Sequence, residues 1–71
     1  MIKSKVGTRI RQIRKSKKIS QETLANICEL DRTYISSVEC GKINISIINL
    51  EKITDALGVS LHEFFNFTSN K

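Results

Sequence analysis

The sequence predicts an all-α domain, a compact five-helix bundle, on three observations. Apolar residues recur at spacings of three and four in each long segment, the period of a helix with one buried face. Ser20, Asp31, Ser46 and Ser60 each stand just before such a segment, where a short oxygen-bearing side chain can accept from the free N–H groups of a first helical turn. The chain has no proline and no apolar–polar alternation of useful length for a strand.

Taken in order, Ile2, Val6, Ile10 and Ile13 form a stripe at spacings of four, four and three, which predicts helix one over about residues 2–17 with its charges on the other faces. Gly7 inside it weakens a helix relative to alanine, so a close packing contact is expected there. Ser20 caps a second helix, 21–28, with Leu24, Ala25 and Cys28 on its buried face. Asp31, preceded by apolar Leu30, caps a third, 32–39, in which Ile35 and Val38 point inward and Gly41 marks the end. Two short capped helices joined by a tight turn make residues 20–41 a helix-turn-helix. Its outer face carries Arg32, Thr33, Ser36 and Ser37, with Tyr34 at the edge: short or forked hydrogen-bonding side chains of the types that reach base edges and phosphates.

Residues 42–45 lack periodicity and read as a connecting loop, where Lys42 can meet a phosphate. Ser46 caps a fourth helix, 47–57, with Ile47, Leu50, Ile53 and Leu57 core-spaced and Gly58 as its C-terminal cap. Ser60 with Glu63 three residues on makes a capping box for a fifth, about 61–66. The polar tail that follows Phe67 is expected to fray, and residues 1–71 form one domain with no interdomain linker.

The formal charge is +5, and the first twenty residues hold eight of the twelve Lys and Arg (Lys3, Lys5, Arg9, Arg11, Arg14, Lys15, Lys17 and Lys18) without an acid. A basic element of this kind suits a polyanion, although a solvated, solubilising helix face accounts for it better when it stands alone. Seventy-one residues bury a small core, so a partner subunit is a natural source of stability. Ile48 falls where a solvated residue fits the pattern and Phe67 lies past the last helix; with Leu61 and Phe65 they could form a self-complementary patch, or Leu61 and Phe65 could close the monomer core. Two cysteines without a secretory signal or long apolar run point to a cytoplasmic protein with reduced thiols and no membrane contact. Cys28, Cys40 and His62 are too scattered for a zinc site, so no metal and no cofactor are expected.

The run SQETLANICELDRTYISSVECGKINIS followed by INLEKITDALGVSLHEFF resembles the Cro and repressor type of helix-turn-helix domain, the lambda-repressor-like fold, over Val6 to Phe65. LDRTYIS, VE-x-G and NISIINL-x-KI together look most like the controller proteins of bacterial restriction-modification systems, which are small DNA-binding dimers without an effector domain. That resemblance implies that Arg32, Thr33, Ser36 and Ser37 read bases, and that Gln21 bonds the DNA backbone and buttresses the recognition helix. It also implies that Arg14 and Glu39 form an ion pair tying helix one to the recognition helix, with Arg14 available to a phosphate as well. Tyr34 and Lys42 suit backbone contacts. The chain departs from the family at Glu29, where glycine is common in the turn, at Cys40, where a basic or polar residue is frequent, and at Ile45, where proline is frequent. The function so implied is a dimeric transcription regulator on a near-palindromic double-stranded operator that controls its own gene and an endonuclease gene, with RNA polymerase as a candidate partner. A phage-type or chromosomal repressor and an antitoxin-like protein-binding module are the alternatives. Catalysis has no candidate site: there is one histidine and no phosphate-binding glycine loop.

Overall fold

The computed structural model describes residues 1–66. The five helices are α1 (Ile2–Ser16), α2 (Gln21–Cys28), α3 (Arg32–Glu39), α4 (Ile47–Leu57) and α5 (Leu61–Phe64), and no strand occurs among the described residues. Helix α1 stops one residue earlier than its sequence pattern suggests, with Lys17 as its C-cap. Helix α5 ends at Phe64, and residues 65 and 66 continue as a short 3₁₀ turn. All four caps read from the sequence are made: the side chains of Ser20, Asp31, Ser46 and Ser60 accept from the backbone N–H groups of Thr23, Thr33, Asn49 and Glu63, and the Ser60–Glu63 capping box is closed in both directions.

The helices also end alike. After α1, α2, α3 and α4 the residue in the left-handed region is Lys18 (φ 59°), Glu29 (φ 60°), Gly41 (φ 74°) and Gly58 (φ 75°). In each case the paired backbone bonds of a Schellman motif return to the last turn, for example Leu30 N–H to Ala25 O at 2.9 Å and Glu29 N–H to Asn26 O at 3.3 Å. Three of these joints repeat one three-residue pattern: a left-handed residue, an apolar residue packed against the core, and the N-cap of the next helix. They are Lys18–Ile19–Ser20, Glu29–Leu30–Asp31 and Gly58–Val59–Ser60. The tight turns are thus built from capping chemistry at both ends, and two of the three use a residue with a Cβ where glycine is easier.

The core gathers Val6, Ile10 and Ile13 of α1, Leu24, Ala25 and Cys28 of α2, Ile35 and Val38 of α3, Leu50, Ile53 and Leu57 of α4, and Phe64 of α5. Ile10, Leu24, Ile35, Ile53 and Phe64 are fully excluded from water. Burial of apolar area of this kind is the main favourable contribution to folding, at roughly 25 cal/mol per Å². Two residues placed on core stripes by spacing are outside it: Ile2 is 60% exposed and Ile47 69%. Both are the first residue of their helix.

Gly7 allows α1 to touch α3. A Cβ built there lies 2.2 Å from Val38 O and 2.8 Å from Glu39 O, so the two helices meet backbone to backbone at the end of the recognition helix. Gly41 is covered by Ser4 from the same helix.

Candidate nucleic-acid interface

Helix α3 is held on three sides. Ile35 and Val38 anchor it in the core, Gly7 seats its C-terminal turn on α1, and Glu39, itself 7% exposed, accepts a two-pronged bond from the Arg14 guanidinium. In that pair Arg14 Nε donates to Glu39 Oε2 at 2.7 Å and Nη2 donates to Oε1 at 3.0 Å. Arg14 Nη1 donates to Ile19 O at 2.8 Å, which also fixes the α1–α2 joint. Side-on guanidinium–carboxylate geometry is the strong form of this interaction, and neither charge is left unpartnered. Arg14 is 8% exposed, and its Nε, Nη1 and Nη2 each donate a bond inside the protein, which makes it the brace between α1, α3 and the α1–α2 joint.

At 100° per residue, Arg32, Ser36, Thr33 and Ser37 occupy an arc of about 140° on α3 opposite its buried face. Arg32 and Thr33 are exposed, and Ser36 and Ser37 are partly exposed. An eight-residue helix spans about 12 Å, comparable to the width of the B-DNA major groove. Gln21, first residue of α2, sits beside this face: its Nε2 donates to Glu39 Oε1 at 3.0 Å, and its Oε1 accepts from Arg32 Nη1 at 3.5 Å. Tyr34 is half-buried at the edge, its ring packed against the core and its hydroxyl accepting from Asn49 Nδ2 of α4 at 3.1 Å. Lys42 is exposed just past the helix end, where its backbone N–H closes the turn onto Ser37 O.

The basic residues of α1 divide by role. Arg9 joins Arg14 in structural service: its Nε donates to Phe64 O at 2.9 Å and its Nη2 to Glu63 O at 3.0 Å, binding the end of α5 to α1. A contact between residues 55 apart leaves no local pattern, and the sequence reading missed it. Lys5, Arg11, Lys15, Lys17 and Lys18 are exposed.

Of the apolar residues assigned to a second subunit, Ile48 is 67% exposed beside Ile47, whereas Leu61 and Phe65 are half-buried against the core, with the Phe65 ring edge-on to Phe64 at 5.1 Å. Phe67 lies outside the described residues. Cys28 is buried, and desolvation pushes its thiol pKa up, partly opposed by the charge of Lys52; Cys40 is exposed at the end of α3. Among the described residues no cluster of His, Cys, Asp and Glu could hold a metal, and no helix is long and apolar enough to cross a membrane.

A capped two-helix unit braced by a buried ion pair, offering one helix face of forked and hydroxylic side chains, defines the class of small helix-turn-helix DNA-binding domains. The chain belongs to the helix-turn-helix family, whose model matches residues 10–64. It is 48% identical over 66 residues to the control protein C.MunI of a Mycoplasma species, covering 92% of this chain and 89% of that one. It is 52% identical over 64 residues to the control protein C.BamHI of Bacillus amyloliquefaciens, covering 89% and 79%. Its structure is similar to that of the restriction-modification controller protein C.Esp1396I, solved as a tetramer on its natural 35-base-pair operator, with a TM-score of 0.89, 43% identity, and 94% and 88% of the two chains covered.

Proposed function

We propose that this protein is a restriction-modification controller: a dimeric, sequence-specific transcription regulator that binds a near-palindromic operator and regulates its own gene together with an endonuclease gene. The observation that carries this reading is the α3 face, where Arg32, Thr33, Ser36 and Ser37 turn outward together while the helix beneath them is fixed by buried contacts. Similarity to the control proteins and to an operator-bound controller supports it.

In this reading each protomer lays α3 in the major groove, and the two half-sites lie about one helical turn, roughly 34 Å, apart. The Arg32 fork pairs with guanine O6 and N7, a contact worth about 1–3 kcal/mol of discrimination, and the hydroxyls of Thr33, Ser36 and Ser37 supply the remaining base-edge bonds. Gln21, Tyr34 and Lys42 face the sugar-phosphate backbone and set the register. Exposed Ile48, continuous with Ile47, is the apolar centre of the dimer contact, and Leu61 and Phe65 extend it from the partly covered side. RNA polymerase is the partner through which a bound dimer activates or blocks its promoter. Footprinting on the DNA upstream of its own gene tests the reading: two protected half-sites on one face of the duplex are expected at moderate salt, and no protection there would refute autoregulation.

A further inference from the structure

We propose that Glu39, buried at the C-terminal end of α3, is a positioning residue for sequence discrimination, acting on Arg32 through the side-chain amide of Gln21. The inference rests on the reading of Arg32 as a base-contacting residue and adds what aims it.

Donor and acceptor chemistry fixes the direction of the chain of contacts. The Glu39 carboxylate, held by Arg14, can only accept, so the Gln21 group facing it at 3.0 Å is the amide NH₂. The amide oxygen is then forced to the other side, where it meets the one partner there that can only donate, Arg32 Nη1 at 3.5 Å. A neutral amide satisfies both neighbours at once; a carboxylate at position 21 would face Glu39 with like charge, and an ammonium would face Arg32 with like charge. Without Glu39 the amide could turn over and present NH₂ to the guanidinium.

The contact to Arg32 engages only Nη1, so the Nε–Nη2 edge of the guanidinium stays open for a two-pronged bond to guanine. Arg32 is otherwise an exposed, long side chain, and ordering it at the moment of binding costs rotamer entropy. A tether formed beforehand removes part of that cost only for the base partner whose acceptors match the held orientation, so it acts on discrimination more than on overall affinity. The buried pair thereby has a second effect besides joining α1 to α3: it sets which way the reading head points.

Two substitutions at half-buried Gln21 separate the links while leaving both members of the Arg14–Glu39 pair in place. The probes are a duplex selected from a random library by the wild-type protein and its single-base-pair variants, titrated at fixed salt against variants whose helical content matches wild type by circular dichroism. Gln21→Met removes both bonds and is expected to lower discrimination about tenfold at the base pair read by Arg32, with other positions unchanged. Gln21→Met combined with Arg32→Ala is expected to lose no more discrimination there than Arg32→Ala alone. Gln21→Glu keeps an acceptor for Arg32 but repels Glu39, and is expected to lose discrimination at the same base pair. Uniform weakening of all duplexes by Gln21→Met, with that discrimination intact, would overturn the proposal and leave Gln21 a backbone contact. Retained discrimination in Gln21→Glu would remove Glu39 from it. Arg32→Ala alone tells this failure from that of the base-reading assignment: if it alters preference at no base pair, both are wrong.

Discussion

Gly7→Ala is the substitution on which local propensity and tertiary structure disagree in sign. Within an isolated helix, alanine is favoured over glycine by about 1 kcal/mol. At position 7 the added methyl would lie 2.2 Å from Val38 O, about 1.2 Å short of the 3.4 Å at which such contact becomes ordinary, and 2.8 Å from Glu39 O. Neither obstacle is the tip of a flexible side chain. Both carbonyls belong to the last turn of α3, which is fixed by Val38 in the core, by the Glu39–Arg14 pair and by the turn closing at Gly41 and Lys42. Relief therefore requires α1 and α3 to separate, which loosens Val6 and Ile10 against the core and strains the ion pair. Overpacking costs about 1–3 kcal/mol, and with backbone oxygens as the obstacles this site falls in the upper half of that range, about 2–3 kcal/mol, so the net expectation after the propensity gain is a loss of roughly 1–2 kcal/mol. For a domain of this size that lowers the melting temperature by about 4–15 °C. Thermal and urea unfolding followed by circular dichroism, at one protein concentration so that any self-association contributes equally, measures the difference. Thr8→Ala, one residue away on the exposed face of the same helix, serves as the reference. A melting temperature for Gly7→Ala at or above that of wild type would refute the backbone-to-backbone contact.

Other perturbations follow from the same geometry. Arg14→Ala leaves the Glu39 carboxylate, its side chain 2% exposed, without its charge partner, and a loss of about 3–5 kcal/mol is expected by urea unfolding; a loss under about 1 kcal/mol would mean that the pair is screened like a surface bridge. Glu29→Gly relieves a left-handed residue that carries a Cβ, and the gain after allowing for glycine's freer unfolded chain is about 0.5–1 kcal/mol, seen as a higher melting temperature; a decrease would show that the Glu29 side chain matters more than its backbone. Ellman's reagent should modify Cys40 rapidly and Cys28 only as the protein unfolds, and equal rates would contradict the burial of Cys28. Because the folded-state pKa of Cys28 is raised, its contribution to stability is complete below the ordinary thiol pKa and declines as pH rises through the folded value, where the unfolded chain already carries the thiolate.

Much of the fold is legible in the sequence because its joints are local. Ser20, Asp31, Ser46 and Ser60 announce their helices by chemistry that operates within one turn, and Gly7 signals a close contact by its cost to the helix that contains it. Lys18 was not legible as a left-handed residue: nothing in lysine favours that conformation, which is imposed by Ile19 turning back toward the core. Ile2 and Ile47 were misplaced because periodicity gives a face but not the length over which a neighbouring helix covers it. The outward face of α3 follows from spacing and from family resemblance together. What holds that face could not be read in full, since Gln21 with Glu39 and Tyr34 with Asn49 are partners far apart in the chain, as is Arg9 with Glu63 and Phe64 where α5 meets α1. The Arg14–Glu39 pair follows from the family resemblance, whereas the Arg14 bond to Ile19 O has no sequence signal.

The central claim is that α3 reads sequence through Arg32 while Lys42 contributes charge alone. The most direct test measures the affinities of wild type, Arg32→Ala and Lys42→Ala for the selected operator and each of its single-base-pair variants across a salt series. Arg32→Ala is expected to lose about 1–3 kcal/mol of discrimination at one base pair per half-site, whereas Lys42→Ala should weaken every duplex alike and reduce the salt slope by about one. Full sequence preference retained by Arg32→Ala at every position would contradict it.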